Sequence, residues 1–144
     1  MQGENTDILN EVYKASTMGA EAAEMLLPKV HDQKIRSQIS SQQQNYEASA
    51  HKAAQMLEEK GDKPKVATQP MQKAMLWGSI QMNTLANSTP KHLAEMMIQG
   101  TTMGIIDIQK RLNELPQADS DSRKLAEDFL KGEQQNIDEL KKLL

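Results

Sequence analysis

The chain has 144 residues, with 17 Lys and Arg against 20 Asp and Glu, and no cysteine. This length predicts one domain, residues 1–144, that can bury a core without a disulfide, and the missing cysteines exclude thiol nucleophiles and thiolate metal sites. The net charge of −3 and the aromatic content of 3% argue against nucleic-acid binding. The start of the chain has no pattern of a secretory signal, and no window approaches the roughly 18 consecutive apolar residues of a membrane span, so we expect a cytoplasmic protein outside the membrane.

The first two predicted helices form a hairpin, residues 6–61. Asn5 or Thr6 is expected to cap the first helix, and Pro28 to end it, because a proline disfavours the helical conformation of the preceding residue. Asp32 opens the second helix and Gly61 closes it, since glycine adopts positive φ without a steric clash. Residues four and three apart give each helix a mostly apolar face: Ile8, Val12, Ala15, Gly19, Ala22 and Leu26, then Ile35, Ile39, Gln42, Tyr46, Ser49, Ala53 and Met56.

A long crossover, residues 62–88, follows the first hairpin. It begins with a polar stretch and is expected to contain a short third helix that starts near Pro70 and stops before Thr89. The stripe of this helix comprises Met71, Met75, Gly78, Met82 and Leu85, with Leu76 and Ile80 beside it.

The second hairpin is predicted over residues 89–144. Thr89 is a natural N-cap, with Pro90 at the first helical position, where a missing N–H costs nothing. The fourth helix carries Ala94, Ile98, Thr101, Ile105, Ile108, Leu112 and Leu115, and the fifth carries Ala126, Leu130, Glu133, Ile137, Leu140 and Leu144. No useful length of the chain alternates with period two, so strands are not expected.

An internal repeat relates the two hairpins. YKASTMGA at 13–20 aligns with IQGTTMGI at 98–105, and QQQNYE at 42–47 aligns with EQQNID at 133–138. One long crossover between two hairpins is typical of ferritin-like bundles, whereas simple up-down bundles use short loops. The predicted fold is therefore all-α, a ferritin-like four-helix bundle of two repeated hairpins with a short extra helix in the crossover.

Three stretches, MGAEAAEMLLPKV, AEMMIQGTTMGIIDI and EQQNIDELKKLL, carry a family resemblance. Through them nearly the whole chain resembles a group of bacterial ferritin-like proteins that has no agreed activity. The resemblance implies the four-helix fold and assigns no chemistry.

A di-iron or di-manganese centre in such a bundle uses a Glu from each of two helices and Glu-x-x-His from each of the other two. This sequence has Gln42-x-x-Asn45 and Glu133-x-x-Asn136 at that spacing, and neither pair has the histidine. We therefore expect a buried polar layer in which Glu133 bonds to the amides of Gln42, Asn45 or Asn136 and to the hydroxyls of Ser16 or Thr101. Without a cation, burial is expected to raise the pKa of Glu133. The predicted layer comprises Ser16, Gln42, Asn45, Thr101, Glu133 and Asn136.

The alternative is a metal site built from residues assigned to outer faces, with Glu47, His51 and Asp107 joining Glu133. Glu47 and His51 have the spacing that puts two ligands on one helix face. His51, however, lies about 140° from Tyr46 around the helix, which predicts a solvent-facing surface pair. Asp107 is interpreted as a boundary carboxylate bonded to a neighbouring helix.

The glycines and methionines are interpreted as packing residues. Gly19, Gly100 and Gly104 are expected at tight helix crossings, because glycine within a helix costs about 1 kcal/mol unless close approach compensates. The ten methionines are expected to fill the core flexibly. Trp77 either anchors the crossover helix or projects into a dimer contact.

Three functions remain open. The favoured one is a binding or structural module without redox catalysis or a cofactor, acting through an exposed helix face on a protein partner or as a homodimer. The second is an iron- or manganese-dependent oxidase, peroxidase or iron-handling protein. The third is a binder of small apolar ligands, with a Met-lined gap beside the third helix.

Overall fold

A computed structural model describes residues 2–64, 75–76, 78–81 and 87–144. These described parts of the chain contain helices and no strand. The helices are α1 (Gln2–Leu26), a 3₁₀ turn (Leu27–Lys29), α2 (Gln33–Glu59), α3 (Pro90–Glu114) and α4 (Ser120–Lys141). Residues 75–76 and 78–81 are also helical. The prediction of an all-α chain is confirmed for the residues that the structure describes. None of these helices is long and apolar enough to cross a membrane.

Local capping signals place most of the helix ends where the sequence predicts them. The Asp32 carboxylate accepts hydrogen bonds from the backbone N–H groups of Lys34 and Ile35, and the Thr89 hydroxyl accepts one from His92. Gly61 has a φ of +76°, the left-handed conformation expected of a residue that closes α2. α1 ends at Leu26, two residues before Pro28.

The start of α1 differs from the prediction. The helix begins at Gln2, so Asn5 and Thr6 lie buried inside it and do not cap it. The Asn5 side-chain oxygen instead accepts a 2.6 Å bond from the backbone N–H of Asp119, immediately before α4. The Asp119 carboxylate caps α4 through the Ser122 N–H and pairs with Lys60 at 2.7 Å. These contacts join α1, α2 and α4 at one end of the molecule.

Two core clusters show the direction of each helix. The first core cluster comprises Ile8, Val12, Tyr46, Ala53, Ile108, Leu112, Ala118, Ala126 and Phe129. The second core cluster comprises Ala23, Leu26, Val30, Ile35, Ile39, Ile80, Leu93, Ala94 and Leu140. α1 and α4 run from the first cluster to the second, whereas α2 and α3 run from the second to the first. Because the long helices α2 and α3 point the same way, the end of α2 and the start of α3 lie at opposite ends of the molecule.

The described part of the crossover packs its aliphatic side chains against the second core cluster. Ile80 is buried there, and Leu76 packs beside it, whereas Met75 on the predicted stripe is 69% exposed. The Lys29 ammonium donates a 2.7 Å hydrogen bond to the side-chain oxygen of Gln81. The predicted start of this helix at Pro70, and Met71, Trp77, Met82 and Leu85, lie outside the described residues.

The methionines are less buried than the sequence analysis expects. None of the methionines whose side chains are described is fully buried, and Met103 is 66% exposed. Met25, Met96 and Met97 pack at the margin of the second core cluster. The largest fully buried apolar side chains are mostly isoleucine and leucine, so the described methionines lie at the edge of the interior or on the surface.

Candidate functional site: a buried polar centre

Buried polar side chains lie at the level where the two core clusters meet, and one of them, Tyr46, also belongs to the first cluster. On α1, Ser16 lies between Val12 of the first cluster and Ala23 of the second, and the other long helices place polar residues at the same level. These residues are Gln42 and Tyr46 on α2, Thr101 on α3, and Glu133 and Asn136 on α4. Ser16, Gln42, Thr101, Glu133 and Asn136 were all expected in this layer, and the structure buries each of them.

Glu133 is the carboxylate of this centre and is 4% exposed. The Tyr46 hydroxyl donates a 3.0 Å bond to Oε2 of Glu133, and the Asn136 amide donates a 3.1 Å bond to Oε1. Each carboxylate oxygen therefore accepts one bond from the protein. The Tyr46 bond links the first hairpin to the second, whereas the Asn136 bond stays within α4.

Tyr46 is the residue of this centre that the sequence analysis missed. The spacing of residues places Tyr46 on the mostly apolar face of the second helix, although a buried phenol requires a partner for its hydroxyl. A buried phenol on one helix and a carboxylate on the inward face of another helix together predict a hydrogen bond between Tyr46 and Glu133. Gln42, a predicted partner of Glu133, accepts a 3.0 Å bond from Gln38 instead.

Asn45 is a correction to the predicted layer, because its side chain is exposed on α2. The buried residues of α2 include Ile35, Ile39, Gln42 and Tyr46, so the inward position after Gln42 falls at Tyr46. Asn45 lies one residue earlier, about 100° away around the helix. The comparison of Gln42-x-x-Asn45 with Glu-x-x-His is therefore wrong for α2.

Burial dominates the electrostatics of the pair. It raises the pKa of Glu133 from 4.5 to about 7, although hydrogen bonds from Tyr46 and Asn136 act in the opposite direction. Burial and the nearby Glu133 charge raise the pKa of Tyr46 above its usual 10.0, so the phenol keeps its proton and acts as a donor. No Lys, Arg or His in the described part of the chain contributes to either shift.

Two glycines that match in the predicted internal repeat lie against the two partners of this bond. A Cβ at Gly19 would lie 2.7 Å from ring carbons of Tyr46, and one at Gly104 would lie 3.7 Å from Oε2 of Glu133. Gly19 thus makes room for a side chain, rather than for the helix backbone that the sequence analysis expected. Gly100 is exposed, with open space around the position of a Cβ, so no tight crossing occurs there.

Ser16 has an unusual environment in this layer. Its side chain is fully buried, and its hydroxyl has no hydrogen-bond partner within the described structure. The expected bond between Ser16 and Glu133 is therefore not formed. A buried hydroxyl without a partner is destabilising, because it loses its bonds to water.

The structure does not bring the four alternative metal ligands together. Glu47, His51 and Asp107 are exposed, whereas Glu133 is buried. Within the described ranges, no three His, Cys, Asp or Glu side chains are grouped so that they could hold a metal ion. The assignment of Asp107 as a boundary carboxylate is also wrong, since its side chain faces solvent.

Comparison of the chain with protein-family models, with curated proteins and with solved structures gives no match. What the buried polar centre can do chemically is therefore inferred from the residues of the centre alone.

Proposed function

We propose that this chain is a ferritin-like four-helix bundle of two repeated hairpins that acts as a binding or structural module without redox catalysis. The shared direction of α2 and α3, with a long crossover between them, supports this topology. The matched positions of Gly19 and Gly104 support the repeat, because both lie against the central Tyr46–Glu133 pair.

The environment of Glu133 carries the functional part of the proposal. A di-metal centre of the ferritin-like type needs four carboxylates and two histidines at the middle of the bundle. Among the described residues, the corresponding level has one buried carboxylate, and its two oxygens accept bonds from Tyr46 and Asn136. Hydroxyls and amides fill the remaining positions, and a buried polar layer of this kind can fix the register of packed helices.

Metal analysis tests this proposal against an iron- or manganese-dependent oxidase, peroxidase or iron-handling protein. The protein would be expressed with added iron or manganese, and the purified chain would be measured for bound metal and for consumption of oxygen and peroxide. We expect far less than one metal ion per chain and no turnover.

Two variants sharpen this measurement. Near-stoichiometric metal that is lost in Glu133→Ala and retained in Glu127→Gln, an exposed position on the same helix, would overturn the proposal. Oxygen or peroxide turnover by the metal-loaded protein would overturn it as well.

A further inference from the structure

We propose that two copies of the chain pair through the outer face of α3, with the two α3 helices antiparallel and Met103 at the two-fold axis. This inference rests on the proposed function and deepens it, because it names a second copy as the partner of the module.

The outer face of α3 exposes two large apolar side chains one turn apart. Met103 is 66% exposed and Ile106 is 48% exposed. Gly100, one turn before Met103, is also exposed and has open space around the position of a Cβ. The face thus combines two protruding apolar side chains with a place where the helix backbone is accessible. Adjacent exposed apolar side chains on one helix favour a contact with another surface.

Charged residues flank this apolar centre with opposite signs. Glu95, Gln99, Met103, Ile106 and Lys110 recur every three or four residues, so they form one stripe on α3, and all are exposed. Glu95 lies about two turns before Met103, and Lys110 lies about two turns after it. Neither forms an ion pair with any residue in the described ranges.

This charge pattern is complementary to itself in one orientation. A two-fold axis at Met103 places the Glu95 of each copy near the Lys110 of the other, and it places the two Met103 side chains together. A parallel pairing would instead bring Glu95 against Glu95 and Lys110 against Lys110. An interface formed by one patch on both subunits is the usual arrangement of a homodimer, so the charges favour a second copy in the antiparallel arrangement.

The expected dimer is weak. One helix from each copy gives an interface at or below about 1,200 Å², the lower end for specific complexes. The dimer should therefore depend on protein concentration, and it should weaken with added salt because exposed charge pairs are screened.

Sedimentation velocity over a protein concentration series tests the pairing. We expect the wild-type chain to shift towards a dimer as concentration rises, and Met103→Lys to remain a monomer because it places two like charges at the axis. Lys131→Glu, an exposed change on α4, serves as the control and should behave as the wild type. Far-UV circular dichroism checks that each variant keeps its helices.

Charge exchange identifies the partner and its orientation. Glu95→Lys and Lys110→Glu should each weaken the dimer alone, whereas an equimolar mixture of the two variants should restore it. In the mixed dimer, the lysine introduced at position 95 faces the glutamate introduced at position 110. The unchanged Lys110 of the first variant then faces the unchanged Glu95 of the second, so both charge pairs are attractive.

Three results would overturn the inference: a monomer at every concentration, a dimer that Met103→Lys leaves intact, or a variant mixture that does not associate. None of these results concerns metal, so they are separate from failure of the proposed function. Metal-loaded, active protein would refute that function and leave the sedimentation result to decide the pairing.

Discussion

The wild-type protein should lose stability as the pH rises towards neutrality, and Glu133→Gln should not. Burial raises the pKa of Glu133 from 4.5 to about 7 in the folded chain. Below about pH 4.5, Glu133 is protonated in both the folded and the unfolded chain, so it does not make the free energy of unfolding depend on pH. As the pH rises, the unfolded chain loses its proton first, so the folded state loses stability until it too is ionised above about pH 7.

The size of this effect follows from the difference between the two pKa values. A shift of one unit corresponds to about 1.36 kcal/mol, so a shift from 4.5 to about 7 gives a loss of about 3 kcal/mol. Glutamine has no charge to bury, so the stability difference between Glu133→Gln and wild type should grow by about that amount between about pH 4.5 and pH 8. Tyr46 adds nothing in this range because its pKa is raised above 10.0.

Urea unfolding followed by far-UV circular dichroism, repeated across this pH range, measures the difference. An effect of the new amide that does not depend on pH shifts the whole curve of unfolding free energy against pH. It does not change the slope of that curve, so the slopes of the two proteins can be compared. Glu127→Gln is the matched control, since it removes an exposed carboxylate from the same helix, and its curve should run parallel to that of the wild type. Parallel curves for Glu133→Gln and the wild type would refute the reasoning, because the carboxyl would then titrate as a solvated group.

Three further substitutions test other parts of the structure. Lys60 and the Ser122 N–H lower the pKa of Asp119 from 3.8 to about 2, so the wild type should lose stability between about pH 4 and pH 2 in a way that Asp119→Asn does not, measured by acid unfolding. Gly19→Ala should destabilise the fold by about 1–3 kcal/mol in urea unfolding because its Cβ overlaps a tyrosine ring; Gly132→Ala, with open space around it, should be neutral or stabilising, and equal effects would contradict this account. Ser16→Ala should leave stability unchanged or raise it by up to about 1 kcal/mol, and a clear loss in the same assay would show that the buried hydroxyl has a partner.

Local signals account for the parts of the fold and site that the sequence predicted. The caps at Asp32 and Thr89 and the positive φ at Gly61 depend on residues within one turn of each helix end. The burial of Glu133 and Asn136 follows from the spacing of apolar residues along α4. These features need no knowledge of the other helices.

Contacts between distant segments account for the errors. Asn5 was predicted to be a cap because its residue type favours one, and only the approach of Asp119 shows its actual partner. Asn45 and Tyr46 are neighbours on α2, and packing against the other helices decides which one faces inward. The described methionines match the apolar pattern equally well, yet the largest fully buried apolar side chains are mostly isoleucine and leucine.

The sequence by itself determined that the described chain is helical, where most helices begin and end, and that an acidic group lies on an inward face of α4. The tertiary structure decided that Tyr46 of the other hairpin satisfies this group, and that Glu47, His51 and Asp107 lie away from it. Helix formation and amphipathic spacing depend on neighbours within a few residues. A hydrogen bond between residues 46 and 133 depends instead on the rotation and register of two helices, which only the packing of the whole bundle sets.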